Sequence, residues 1–116
     1  MGFYCMKNND YQTIQKIIRY CDDVATILSK NDVDLVKFEN DVTFEYACNM
    51  CIIQIGELVG RLSDDFQSEH PDIPWHAIKA MRNLYAHDYE RINLSIVWDT
   101  LTKDVPKLKK QLEALL

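Results

Sequence analysis

Residues 41–68 read DVTFEYACNMCIIQIGELVGRLSDDFQS, and the spacing of their apolar side chains decides the class of fold. Phe44, Cys48, Cys51, Ile55, Leu58 and Leu62 step by four and three, the period of one face of an α-helix. Ile52, Val59 and Phe66 form a second stripe beside the first. A face this wide must be buried against more than one neighbour. The spacing predicts one long helix over about 41–68, capped at its start by Asn40 or Asp41. Gly56 and Gly60 stand four apart within it. Each costs a helix about 1 kcal/mol relative to Ala, and small residues at that spacing let another backbone approach closely.

The rest of the chain fits the same class. It has 116 residues, 47% hydrophobic and 27% charged, which suits one folded domain, taken here as 1–116. Three Gly and three Pro give little turn punctuation and favour a few long helices over many short strands. Asn9 followed by Gln12 makes a capping-box pattern. Beyond it Tyr11, Ile14, Ile18, Cys21, Ala25 and Leu28 form a stripe, so a first helix is expected over about 10–29. Residues 29–40 are polar and broken, with room for one short turn around Leu35–Phe38. Pro71 stops the long helix, and Pro74 suits the first turn of the next, over about 74–88. Asn93 caps a last helix with the stripe Ile96/Val97, Leu101, Val105, Leu108, Leu112 and Leu115. Pro106 inside that stripe predicts a kink or a break. The expectation is an all-α antiparallel bundle of four to five helices.

Composition also narrows function. No apolar run is long enough to span a bilayer, and residues 1–10 lack a basic-then-apolar leader, so a cytoplasmic protein is expected. The cysteines Cys5, Cys21, Cys48 and Cys51 then read as free thiols. Cys48 and Cys51 form a C-x-x-C, but no second pair of ligands exists for a structural zinc. They lie mid-helix rather than at the helix start after a strand that a redox pair needs, so they read as buried core thiols. The net charge of −5 removes the electrostatic term that drives non-specific nucleic-acid binding. Any nucleic-acid chemistry must come from a local basic site.

One stretch offers such a site. Residues 81–89 read MRNLYAHDY. At 100° per residue, Asn83 and His87 are i,i+4 neighbours, and Tyr89 returns over Arg82. Arg carries a permanent charge on a planar fork suited to phosphate. His moves protons near neutral pH, and Asn can orient the imidazole or donate to an oxyanion. Together they suffice for metal-free cleavage of RNA, whose 2′-hydroxyl is an internal nucleophile that DNA lacks. One His performs one proton transfer well, and the complementary one needs water, Tyr89 or a second His. As a bare pattern Arg-x4-His is weak, because an Arg in a surface ion pair and a His at a helix C-terminus explain it as simply. Glu57 could pair with Arg82 or face solvent. Arg61, Lys79 and Arg91 could extend an RNA groove or be solvated. His70 and His76 read as surface or capping residues, and Lys103, Lys107, Lys109 and Lys110 as a solvated helix end.

The context of the motif adds a resemblance. Residues 71–93, PDIPWHAIKAMRNLYAHDYERIN, closely resemble the HepT-like family of toxins within the HEPN superfamily of all-helical ribonucleases. The positions that carry it are Pro74, Trp75, Arg82, Asn83, Ala86, His87 and Tyr89. Ile55-Gly56-Glu57, Val97-Trp98 and the Pro106 to Leu108 segment support it. The resemblance implies the toxin of a type VII toxin–antitoxin system, a metal-independent endoribonuclease acting as a homodimer whose motif helices face each other across a cleft. Arg82 and His87 would be catalytic, with Asn83 and Glu57 supporting them. It further implies a partner antitoxin, a minimal nucleotidyltransferase that uses ATP to place AMP on Tyr89, while this chain needs no cofactor or metal. With Tyr89 over Arg82 on the wheel, AMP there would crowd the phosphate-binding group. The alternative is a non-catalytic helical subunit that presents substrate or nucleotide to a nucleotidyltransferase. A plain interaction bundle with no site is a third possibility.

Overall fold

The computed structural model describes residues 7–116, and every regular element among them is helical. The helices are α1 (Asn8–Lys30), α2 (Leu35–Asn40), α3 (Val42–Arg61), α4 (Asp64–Glu69), α5 (Trp75–His87), α6 (Leu94–Asp99) and α7 (Val105–Glu113). A 3-10 turn, Tyr89–Arg91, follows α5, and a π turn, Thr100–Asp104, joins α6 to α7. Four rods therefore make the bundle, namely α1, α3, α5 and the α6–α7 unit, with α2 and α4 as short connecting helices.

The central rod is α3, packed on α1 along one side and on α5 along another. Both stripes of residues 41–68 are buried, Cys48, Ile52, Val59 and Phe66 completely so. Asp41 is the cap: its carboxylate accepts from the Thr43 and Phe44 amides at 3.0 and 3.2 Å. The single long helix, however, is two. Leu62 turns to extended backbone (φ −67°, ψ 140°), and Ser63 caps α4 by accepting from the Phe66 amide at 3.2 Å. The cause is Asp10 of α1, only 2% exposed. Its carboxylate accepts from the Ser63 amide at 2.9 Å and from the Ser63 hydroxyl at 2.6 Å. A buried carboxylate needs such donors, and the bend that supplies them still delivers Phe66 to the core. The same bond places the start of α1 against the end of α3, which makes the two antiparallel.

Two expectations for α1 are corrected. The helix starts at Asn8 with Lys7 at the cap position, where Lys7 has the extended backbone of a cap residue and no side-chain cap bond. Asn9 is thus already inside the helix, and the Asn9–Gln12 capping box is not used. The buried face is Ile14, Ile17, Cys21, Val24 and Leu28, whereas Tyr11 and Ala25 are exposed and Ile18 is partly covered. Because α1 packs on both α3 and α7, its buried face is centred between them and takes in Ile17 and Val24. The helix closes with a Schellman arrangement: the Val33 amide bonds the Leu28 carbonyl at 2.8 Å and the Asp32 amide the Ser29 carbonyl at 3.2 Å.

Pro106 distorts its helix without ending it. The π turn lies just before Pro106, at the N-terminus of α7, and widening one turn accommodates a ring that can neither donate nor fit the regular ladder. Val97, Leu101, Val105, Leu108 and Leu112 stay buried, while Ile96 is 59% exposed. The thiols of Cys21, Cys48 and Cys51 are free and buried in this core, and burial pushes Cys48 up to about 12 and Cys51 up to about 11. They pack as small hydrophobes. Cys5 lies outside the described residues. No helix among the described residues is long and apolar enough to cross a membrane.

Candidate active site

The site is built where α5 crosses α3. Trp75 starts α5 and is locked there, its indole N–H donating to the Gln67 and His70 carbonyls at 3.1 and 3.0 Å. Ile78 and Tyr85 then bury the inner face of α5. One turn before Tyr85, Arg82 meets Gly56 of α3. A Cβ added at Gly56 would lie 2.2 Å from the Arg82 Cβ and 2.8 Å from its Cγ. Gly56 is therefore what lets the stem of Arg82 pass against the α3 backbone. Gly60 makes no such contact: a Cβ there would meet only the Lys79 Cδ, at 4.0 Å.

This close passage fixes the guanidinium. Arg82 forms an ion pair with Glu57 and donates from Nη1 to the Asn83 Oδ1 at 2.7 Å. Its Nε is buried without a hydrogen-bond partner. Glu57 thus faces Arg82 and not open solvent. Both side chains keep about a third of their surface exposed, 31% for Arg82 and 34% for Glu57, so solvent screens the pair, but its geometry sets where the positive charge sits. Gly56, Glu57, Gly60, Arg61, Lys79, Arg82 and Asn83 line an open groove of about 310 Å³.

His87 is not in this groove. It is the last residue of α5, exposed, with no hydrogen bond or ion pair among the described residues. It stands one turn beyond Asn83, as the helical wheel requires, and about 7.5 Å along the axis from Arg82. Within one chain Asn83 is the link: it lines the groove, bonds Arg82 and shares an edge of the helix with His87.

Tyr89 corrects the wheel. Helix α5 ends at His87, and Tyr89 belongs to the following 3-10 turn. Its hydroxyl donates to the Glu45 Oε1 at 3.2 Å, and its ring lies against Tyr46 and Tyr85, with centroids 6.4 and 6.3 Å away. Glu45 and Glu57 lie twelve residues apart on α3, about 18 Å along the helix. Tyr89 and Arg82 therefore reach opposite ends of the α3–α5 contact. Burial, with the Glu45 carboxylate next in effect, holds the Tyr89 phenol well above its usual value.

Nothing in the local sequence pattern singles out Glu45 or Asp10. A carboxylate at the start of a helix looks like an ordinary first-turn acid, and only the fold shows that each accepts from a residue more than forty positions away. His76 is exposed, and His70 is half-buried against the Phe66 ring at 4.7 Å. Lys109 is not simply solvated, since it pairs with Asp22 of α1 at 2.5 Å.

Comparison with known proteins identifies the family and its relatives. A family model described as ribonuclease HepT-like matches residues 11–115. "Putative RNase MJ0125" of Methanocaldococcus jannaschii is 30% identical over 100 residues, 86% of this chain and 84% of its own. "Putative RNase MJ1380" of the same organism is 33% identical over 82 residues, 71% of this chain and 75% of its own. The "Probable ribonuclease HepT" of Thermococcus cleftensis is 29% identical over 105 residues, 83% of this chain and 92% of its own. No solved structure matches the chain. With a match across nearly all of its helices, this chain belongs to the HepT-like ribonuclease family.

Proposed function

We propose that this protein is the toxin of a toxin–antitoxin pair, a metal-independent endoribonuclease that works as a homodimer. The observation that carries the reading is the fixed guanidinium of Arg82, held by Glu57, Asn83 and Gly56, one helical turn and a half from an exposed His87. Arg82 stabilises charge on the phosphate. The 2′-hydroxyl attacks the adjacent phosphorus, the new O–P bond forms, and the bond to the 5′-oxygen breaks. The products are a 2′,3′-cyclic phosphate and a 5′-hydroxyl. His87 takes the 2′-hydroxyl proton, and His87 of the partner subunit gives a proton to the departing oxygen.

A dimer answers two features of the single chain. One His87 supplies one of the two proton transfers. The α3–α5 face also exposes apolar side chains, with Tyr46 61%, Met50 56% and Leu84 46% exposed, which a second copy would cover. Facing motif helices would bring two copies of Arg82 into one cleft of an acidic protein.

The antitoxin is a minimal nucleotidyltransferase: the Tyr89 hydroxyl oxygen bonds the α-phosphorus of ATP, the α–β phosphoanhydride bond breaks, and pyrophosphate and the phenolic proton leave. With Tyr89 seated on Glu45, inactivation does not run through crowding of Arg82. The modified hydroxyl can no longer donate to Glu45, and its phosphate would repel that carboxylate. The turn two residues past His87 must then move, which displaces the proton-transfer end of the site.

The test is cleavage of RNA by purified protein in excess chelator. His87→Ala and Arg82→Ala should each lower the rate at least a hundredfold while circular dichroism shows the helices intact. Full activity in His87→Ala overturns the assignment. Co-expression with a cognate minimal nucleotidyltransferase should add AMP-sized mass to the wild type and none to Tyr89→Phe.

A further inference from the structure

Within the groove at the α3–α5 contact, three cations and one carboxylate face the same space. Glu57 is committed to Arg82. Arg61, on α3 one turn beyond Glu57, and Lys79, on α5 one turn before Arg82, have no ion-pair partner among the described residues. The groove is thus locally positive in a chain whose net charge is −5. It continues from Arg82 toward the start of α5, away from His87. Its floor is open because Gly60 carries no side chain and packing does not require that, since a Cβ there would make only an ordinary contact.

We propose that Arg61 and Lys79 form a second phosphate subsite, which holds the phosphodiester neighbouring the one cleaved at Arg82 and His87. Its ligand is the backbone of single-stranded RNA, gripped without regard to base identity. A Lys ammonium acts as a point charge and an Arg fork can bond two phosphate oxygens, so neither reads sequence. The subsite rests on the ribonuclease reading and deepens it: Arg82, pinned by Glu57, serves the reacting phosphate, and the two unpaired cations carry the strand past it. Direction follows, because the chain of the substrate extends over α5 toward Trp75 and not past Tyr89.

The experiment measures binding of a fluorescent oligouridylate to the full chain carrying His87→Ala, across a series of salt concentrations. Two phosphate contacts on a single strand contribute about 1.4 to the slope of log affinity against log salt. Adding Arg61→Gln and Lys79→Gln should weaken binding and flatten the slope by about that amount. Lys16→Gln with Arg19→Gln removes the same charge from the exposed face of α1 and should leave the slope unchanged. In the otherwise wild-type enzyme, Arg61→Gln with Lys79→Gln should raise KM more for a hexaribonucleotide than for a dinucleoside monophosphate, which has only the scissile phosphate. An unchanged slope overturns the subsite, as does an equal flattening by the α1 pair or an oligouridylate that does not bind at all. Retained RNA cleavage in His87→Ala overturns the ribonuclease assignment, whatever the slopes show.

Discussion

The middle and the C-terminal end of α5 are built in opposite ways. At Arg82 the side chain is pressed against Gly56, paired with Glu57, bonded to Asn83 and has a buried Nε. At His87 the helix stops, the imidazole is exposed, and no group among the described residues bonds to it. On the proposed reading, the contrast teaches how one short helix would divide its labour. A group that stabilises charge works best when preorganised. A group that must gain and lose protons needs access to substrate and, in a shared cleft, to a second subunit. The first is completed inside one chain, and the second is left to whatever covers the helix end.

The comparison can be broken hardest at Gly56. Gly56→Ala puts a Cβ into the stem of Arg82, and neither backbone nor Cβ can yield cheaply. Stability should fall by about 1–3 kcal/mol, the range for overpacking, with loss of RNA cleavage. Urea unfolding and a cleavage assay check both, and a fully stable, active Gly56→Ala variant would mean that α3 and α5 are not in contact at Arg82. The matching change at Gly60 should be nearly neutral, because the space is open.

Removing the charge that holds Arg82 is a smaller step. Glu57→Gln should cost about 1 kcal/mol or less, because both partners are partly exposed and solvent screens the pair. Its effect on cleavage should exceed its effect on stability, since a freed guanidinium loses its fixed position. Equal activity in Glu57→Gln would show that Gly56 and Asn83 suffice to place Arg82.

The other end responds to pH. The folded state keeps the Tyr89 phenol protonated beyond its ordinary 10.0, so above that pH the unfolded chain binds fewer protons than the folded one. Stability is then present below pH 10 and is lost as pH rises from there toward the folded-state value. Tyr89→Phe should lose less stability than the wild type over that alkaline range, and a Glu45→Gln variant should fall between them. Identical alkaline profiles would show that Tyr89 is not seated against Glu45. The smallest effect is expected at His87 itself: His87→Ala should leave the melting temperature unchanged in the same preparation whose activity is lost, because the side chain packs against nothing that folding needs.

Much of this was legible in the sequence, and the reasons are local. The stripe of residues 44–62 announced a central helix covered on two sides, because burial on a helix must repeat every three or four residues. Arg82, Asn83, His87 and Tyr89 could be named from their chemistry and spacing. The errors came where a distant partner overrode a local pattern. Phe66 kept the helical phase of α3, yet Asp10 bent the chain at Leu62 and Ser63 and made a separate α4. Tyr89 kept the phase of Arg82, yet α5 ended two residues earlier and Glu45 took its hydroxyl.

By itself, then, the sequence determined that the chain is a helical bundle, which faces of α3 and α7 are buried, and which residue types can bind phosphate and move a proton. Those follow from periodicity and side-chain chemistry, which act over one or two turns. Only the tertiary structure decided that Gly56 exists for Arg82, that Glu57 holds the guanidinium, and that Arg61 and Lys79 share its groove. It also decided that Tyr89 belongs to the opposite end of the contact. These depend on how two helices cross, and the angle and depth of a crossing are set by the packing of every residue between them.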